Sequence, residues 1–112
     1  MYTDMWRRNK IDYKFGPKKT IVRTLVYFSY LYDGNKNKLG VSISFETERD
    51  FHYELLMEDW LKFCNIYLNG KDSHWAFKRF FKGKNMKSTD GLFAFEHALN
   101  ESNIEFKKIA YY

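Results

Sequence analysis

Cysteine occurs once, at Cys64, so the chain cannot close an internal disulfide. A reducing compartment is the simplest setting for such a chain, and a cytoplasmic location is expected. Long apolar runs are missing as well. The longest, residues 24–32, is far short of the roughly 20 residues that a membrane-spanning helix requires. The N-terminus carries Asp4, Arg7, Arg8, Lys10 and Asp12 with no apolar stretch behind them, so no signal peptide is read there. Internal repeats, low-complexity tracts and linkers are lacking too, and the 112 residues read as a single domain, with 1–10 as a loosely ordered basic arm.

The motifs that announce chemistry are equally scarce. Cys64, His52, His74 and His97 occur in none of the ligand spacings of a zinc site, and no metal or other cofactor is expected. No G-x-S-x-G elbow is present, and neither phosphate-binding glycine pattern fits Gly83 or Gly91. Glu54, Glu58 and Asp59 form an acidic set on an expected helix, with Glu54 and Glu58 one turn apart. A carboxylate–lysine nuclease pattern does not accompany them, and a solvated outer face accounts for them. Cys64, expected on the inner stripe of that helix, reads as a small buried thiol. RNP, GXXG and zinc-finger signatures are lacking as well.

What is present is a core and an uneven charge. Hydrophobic residues make up 45% and aromatics 21%, enough large side chains to bury an interior and too many for a disordered chain. The formal net charge is +5, concentrated in two stretches. Residues 1–20 carry six Lys/Arg against two Asp, and residues 71–87 carry six against one. Residues 46–62 run the other way, with six acids and two bases. Basic stretches of this kind point to a polyanionic partner, or simply to solubility. The excess of Lys over Arg, with abundant Asn, Ile, Tyr and Phe, is the bias of an AT-rich genome such as that of a low-GC bacterium or its phage.

Hydrophobic periodicity gives an α+β chain. Residues 11–15 alternate as a strand, and 16–19 form a turn. Residues 20–32, rich in β-branched and aromatic side chains, read as one central strand. Val41, Ile43 and Phe45 alternate with Ser42, Ser44 and Glu46 to complete a hairpin. A long helix is expected from Thr47, carrying Leu56, Trp60, Phe63 and Tyr67 on one stripe and ending at Asn69-Gly70. A short helix over 74–82 follows, capped by Asp72 or Ser73. A third helix, starting near Ser88–Asp90, carries Leu92, Phe95 and Leu99. A strand over 104–111 closes the chain. The expected architecture is a small antiparallel or mixed sheet of about four strands in β-β-β-α-α-α-β order, with the helices packed on one face.

One segment combines charge and aromatics in a pattern with consequences. Trp75, Lys78, Arg79 and Lys82 follow helical spacing on one side of the short helix, while Phe77 and Phe81 pair on another stripe. Cations can neutralise phosphates and an exposed Trp75 can stack on a base. The bland alternative has every aromatic buried and the lysines merely facing water. The favoured reading is a small non-enzymatic binding protein of a phage or mobile element. It would act on nucleic acid or a nucleoprotein, for example as an inhibitor of a host nuclease or CRISPR-type complex. Its contacts would come from Lys71, Trp75, Lys78, Arg79, Lys82, Lys84 and Lys87, with Arg7 and Arg8 assisting. A protein–protein module such as an immunity protein is the first alternative. A small enzyme is the second, and would need His52, His74 or His97 beside a carboxylate. No membrane partner is expected, and a monomer or a homodimer is.

Overall fold

The computed structural model describes residues 20–23, 25–47, 49–85 and 89–111. Period-two alternation builds its sheet. The strands are β1 (Thr20–Arg23), β2 (Val26–Tyr32), β3 (Lys38–Glu46), β4 (Asp50–Leu56) and β5 (Lys107–Tyr111), paired antiparallel in the order β1-β2-β3-β4-β5. Three helices lie between β4 and β5: α1 (Met57–Tyr67), α2 (His74–Phe80) and α3 (Asp90–Glu101). The α+β class holds, with strands first, three helices next and a last strand, and β5 joins the edge of β4.

The helices cover one face of the sheet. On that face Phe28 pairs with Ile43, and Ile43 with Tyr53. Val26, Val41, Phe45 and Leu55 lie in the flanking rows, all buried. The helices answer with Trp60, Phe63 and Cys64 from α1, Phe77 from α2, and Leu92, Phe95 and Leu99 from α3. Phe77 is central, with ring centroids 5.7 Å from Phe28, 5.4 Å from Trp60 and 5.6 Å from Phe95. Each such buried ring contributes about 1.5–3 kcal/mol by leaving water. The other face carries a small apolar cluster of Leu31, Leu56 and Leu39, and a row of polar side chains.

Two elements differ from expectation. Residues 20–32 are two strands, because the chain turns back at Leu25, whose φ of 73° lies in the left-handed region. The Leu25 carbonyl accepts from the Glu46 N–H at 2.8 Å, which pins this turn to the end of β3. The long helix begins only at Met57, and Asp50–Leu56 is a strand. Its alternation sends Tyr53 and Leu55 inward and Asp50, His52 and Glu54 to the other face, so Glu54 and Glu58 share no helix face. Thr47 caps no helix. Its hydroxyl donates to the Arg49 carbonyl at 2.9 Å in the β3–β4 turn. The expected strand over 11–15, the turn over 16–19 and the arm over 1–10 lie outside the described residues. Among the described residues, no helix is long and apolar enough to cross a membrane.

Candidate nucleic-acid interface

Ser73 starts α2 as the sequence suggests: its side chain accepts from the Ala76 N–H at 3.1 Å. Asp72 fixes the chain just ahead of it. One carboxylate oxygen accepts from the Tyr30 hydroxyl at 2.6 Å and from the Trp60 indole N–H at 2.7 Å, and Lys38 lies 3.9 Å from the other. The start of α2 is thereby tied to β2, β3 and α1. Phe77 and Phe81 are fully buried, and they lock the rotation of the helix about its own axis.

With that stripe inward, positions 75, 78, 79 and 82 must face out together. Trp75, Lys78, Arg79 and Lys82 line one surface depression of about 310 Å³. The Trp75 side chain is 64% exposed, so the bland alternative fails at this residue, although it holds for Phe77 and Phe81. The indole does not hang free. The Lys78 ammonium lies 5.2 Å from its ring centroid, and the His74 ring is also 5.2 Å away, tilted by 36°. A second depression of about 120 Å³ adjoins the first and shares Arg79. Its lining includes Asn69, Lys71 and Phe80. Lys84 sits beyond the end of α2, where it donates to the Phe80 carbonyl at 3.3 Å and lies 5.2 Å from the Phe80 ring. Arg7, Arg8 and Lys87 lie outside the described residues.

Among the described residues, the charges of this face are left uncompensated. Lys38 is paired with Asp72, Lys107 with Glu54 and Lys108 with Glu96. Lys71, Lys78, Arg79, Lys82 and Lys84 meet no carboxylate among the described residues. Like charges gathered on one exposed surface repel one another, and a bound polyanion relieves that repulsion.

The titratable groups elsewhere form a different arrangement. His52 lies on the far face of the sheet, with Ser44 Oγ 2.9 Å from its Nδ1 and Glu54 Oε2 2.9 Å from its Nε2. Ser42 Oγ is 3.3 Å from the same Nε2, and Lys107 is 3.8 Å from the other Glu54 oxygen. An imidazole beside a carboxylate is therefore present, as an enzyme would require. The register explains it without chemistry: Ser44 opposes His52, Ser42 opposes Glu54, and Glu54 opposes Lys107. Cross-strand neighbours on one face must meet, and the contacts satisfy Glu54 and Ser42, which are only 4% and 5% exposed. β3 is paired on both edges, so its backbone N–H groups are held in the sheet rather than aimed at a reacting oxygen.

His97 lies 3.7 Å from Glu101 one helical turn on, both exposed. His74 contacts the Trp75 ring instead of an acid. Cys64 is buried on the inner stripe of α1 as expected, and burial, with the Asp72 charge, pushes its thiol up to about 12. Such a thiol is protonated and inert near neutrality. Among the described residues no group of three or more His, Cys, Asp and Glu is placed to hold a metal ion.

Sequence reasoning missed the second depression, because Asn69 and Phe80 join it only once α1 and α2 pack. It also missed Asp72 as an anchor. The Asp-Ser pair before the helix was the available signal, and it read only as a choice of caps. Compared with protein-family models, with curated proteins and with solved structures, the chain matches none.

Proposed function

We propose that the chain is a non-enzymatic binding protein that contacts nucleic acid, free or within a nucleoprotein, through the exposed face of α2. The observation that carries this reading is the grouping of Trp75, Lys78, Arg79 and Lys82 around one depression, with no acid among the described residues paired to the cations. Lys71 extends the positive surface past Arg79, and Lys84 borders it. A rigid helix face carrying cations suits the positioning contacts to phosphate that dominate affinity. The AT-rich bias and small size fit an accessory protein of a phage or mobile element, one that blocks a host nuclease or CRISPR-type complex by occupying its nucleic acid or its channel.

Fluorescence anisotropy with labelled duplex DNA, single-stranded DNA and RNA across a salt series tests this. Three or four phosphate contacts give a slope of log K against log salt of roughly −2 to −4, since each contact contributes about −0.7 to −0.9. The Lys78→Ala/Arg79→Ala/Lys82→Ala/Lys84→Ala variant is expected to lose most of both affinity and slope. Absence of binding by the wild type even at low salt would refute a nucleic-acid partner and turn the search to a protein target.

A further inference from the structure

Given a nucleic-acid ligand on this face, the geometry points to a single strand: we infer that α2 binds single-stranded DNA or RNA with one unpaired base stacked on Trp75. Three features lead there. First, Trp75 is the largest exposed apolar side chain in the patch, and it lines the depression together with the cations. Had the surface evolved for phosphates alone, an indole would add nothing there. A base offers its flat face to an indole only when it is unstacked, which a duplex forbids without flipping.

Second, the indole is already held. Lys78 lies over the ring at 5.2 Å and His74 rests against it. The cation on the ring is an attraction of about 0.5–1 kcal/mol at an exposed site, weak enough to be exchanged. An arriving base takes the place of the ammonium on the ring, and Lys78 swings to the adjoining phosphate.

Third, the surface suits a chain rather than a compact anion. The two depressions share Arg79, so a ligand leaving Trp75 passes the guanidinium and enters a second hollow whose lining includes Lys71, Asn69 and Phe80. From Trp75 to Arg79 the helix rises only about 6 Å, with Lys82 in the turn just beyond its end, which offers a narrow track and not the broad surface of a duplex groove.

The test compares a short thymidine-only strand, the matching uridine strand, a duplex of equal length and an abasic single strand. Wild type, Trp75→Ala and Trp75→Phe are assayed at one moderate salt concentration and then across a salt series. The base-bearing strands are expected to bind at least about tenfold tighter than the abasic strand, the scale of one stacked base. Trp75→Ala should erase that advantage with the salt slope unchanged, and Trp75→Phe should retain most of it. Trp75 is mostly solvent-exposed, so unchanged circular dichroism and melting temperature are expected for both variants. Equal binding of all four ligands, indifferent to Trp75→Ala but still steep in salt, would overturn the stacking while leaving the basic face as a polyanion surface. Tighter binding to duplex than to either strand would overturn it as well. Failure of every ligand to bind would overturn both. A deoxyuridine strand, which differs from the uridine strand in the sugar alone, then assigns the sugar, and a preference between these two leaves the stacking established.

Discussion

Asp59 and Asp72 show how far one residue type diverges with its surroundings. Asp72 accepts from Tyr30 and Trp60 and ties α2 to the core. Asp59, in the first turn of α1, has the helix dipole in its favour, but burial pushes its carboxyl up to about 6. The Glu58 and Glu105 charges add to the shift, and Lys62 opposes it. The folded protein thus holds a proton at Asp59 through a window, roughly pH 4 to 6, in which the unfolded chain has released it. Stability contributed by this site falls as pH rises through that window and stays low above it. Asp59→Asn is therefore expected to stabilise the protein at pH 7.5 by about 1 kcal/mol, after discounting for partial exposure and for the lost dipole interaction. The gain should vanish below about pH 4. Urea denaturation of both proteins at the two pH values measures this. Equal midpoints at pH 7.5 would place the Asp59 carboxyl back in the ordinary range.

At the scale of elements, α2 depends on its buried side. Phe77 touches Phe28, Trp60, Phe63, Phe81 and Phe95, so Phe77→Ala empties the point where the sheet and all three helices meet. The expected cost is about 3–5 kcal/mol, read as a lowered urea midpoint. A loss below about 1 kcal/mol would mean that the helix is not seated on that core. That Phe77 and Phe81 share one stripe and Trp75, Lys78, Arg79 and Lys82 another was legible from spacing, but which aromatics turn inward was not. What spacing could not convey is that these cations meet no acid among the described residues, because that depends on which distant segments fold nearby. The same limit explains β4. Leu56, Trp60, Phe63 and Tyr67 repeat with helical period, and extending that period back to Thr47 ignores the alternation of Phe51, Tyr53 and Leu55 with His52 and Glu54. Aromatic residues at period two favour a strand, and pairing with β3 and β5 on both sides decides it. The edge that β5 takes was likewise unreadable. It reflects such contacts as Lys107 beside Glu54 and Lys108 beside Glu96, each between residues remote in sequence or brought together by a turn.

At the scale of the whole molecule, one buried cluster runs from β2 through β4 and all three helices, and the proposed binding face is the outer surface of an element seated in it. Unfolding of that cluster and loss of the face are then the same event. Circular dichroism and the fluorescence of buried Trp60, followed in a Trp6→Phe/Trp75→Phe background, are expected to report coincident urea transitions. A ligand that recognises only the intact face must in turn stabilise the entire fold. At a free concentration one hundred times Kd, a single-stranded oligonucleotide adds about 2.7 kcal/mol, which for a chain of this length raises the melting temperature by roughly 10 °C. The variant lacking Lys78, Arg79, Lys82 and Lys84 should melt at the same temperature with or without the strand. A wild-type melting temperature that ignores saturating ligand would mean that binding does not require the folded surface, and the α2 face would then not be the site. A rise preserved in the variant would place the site elsewhere on the folded molecule.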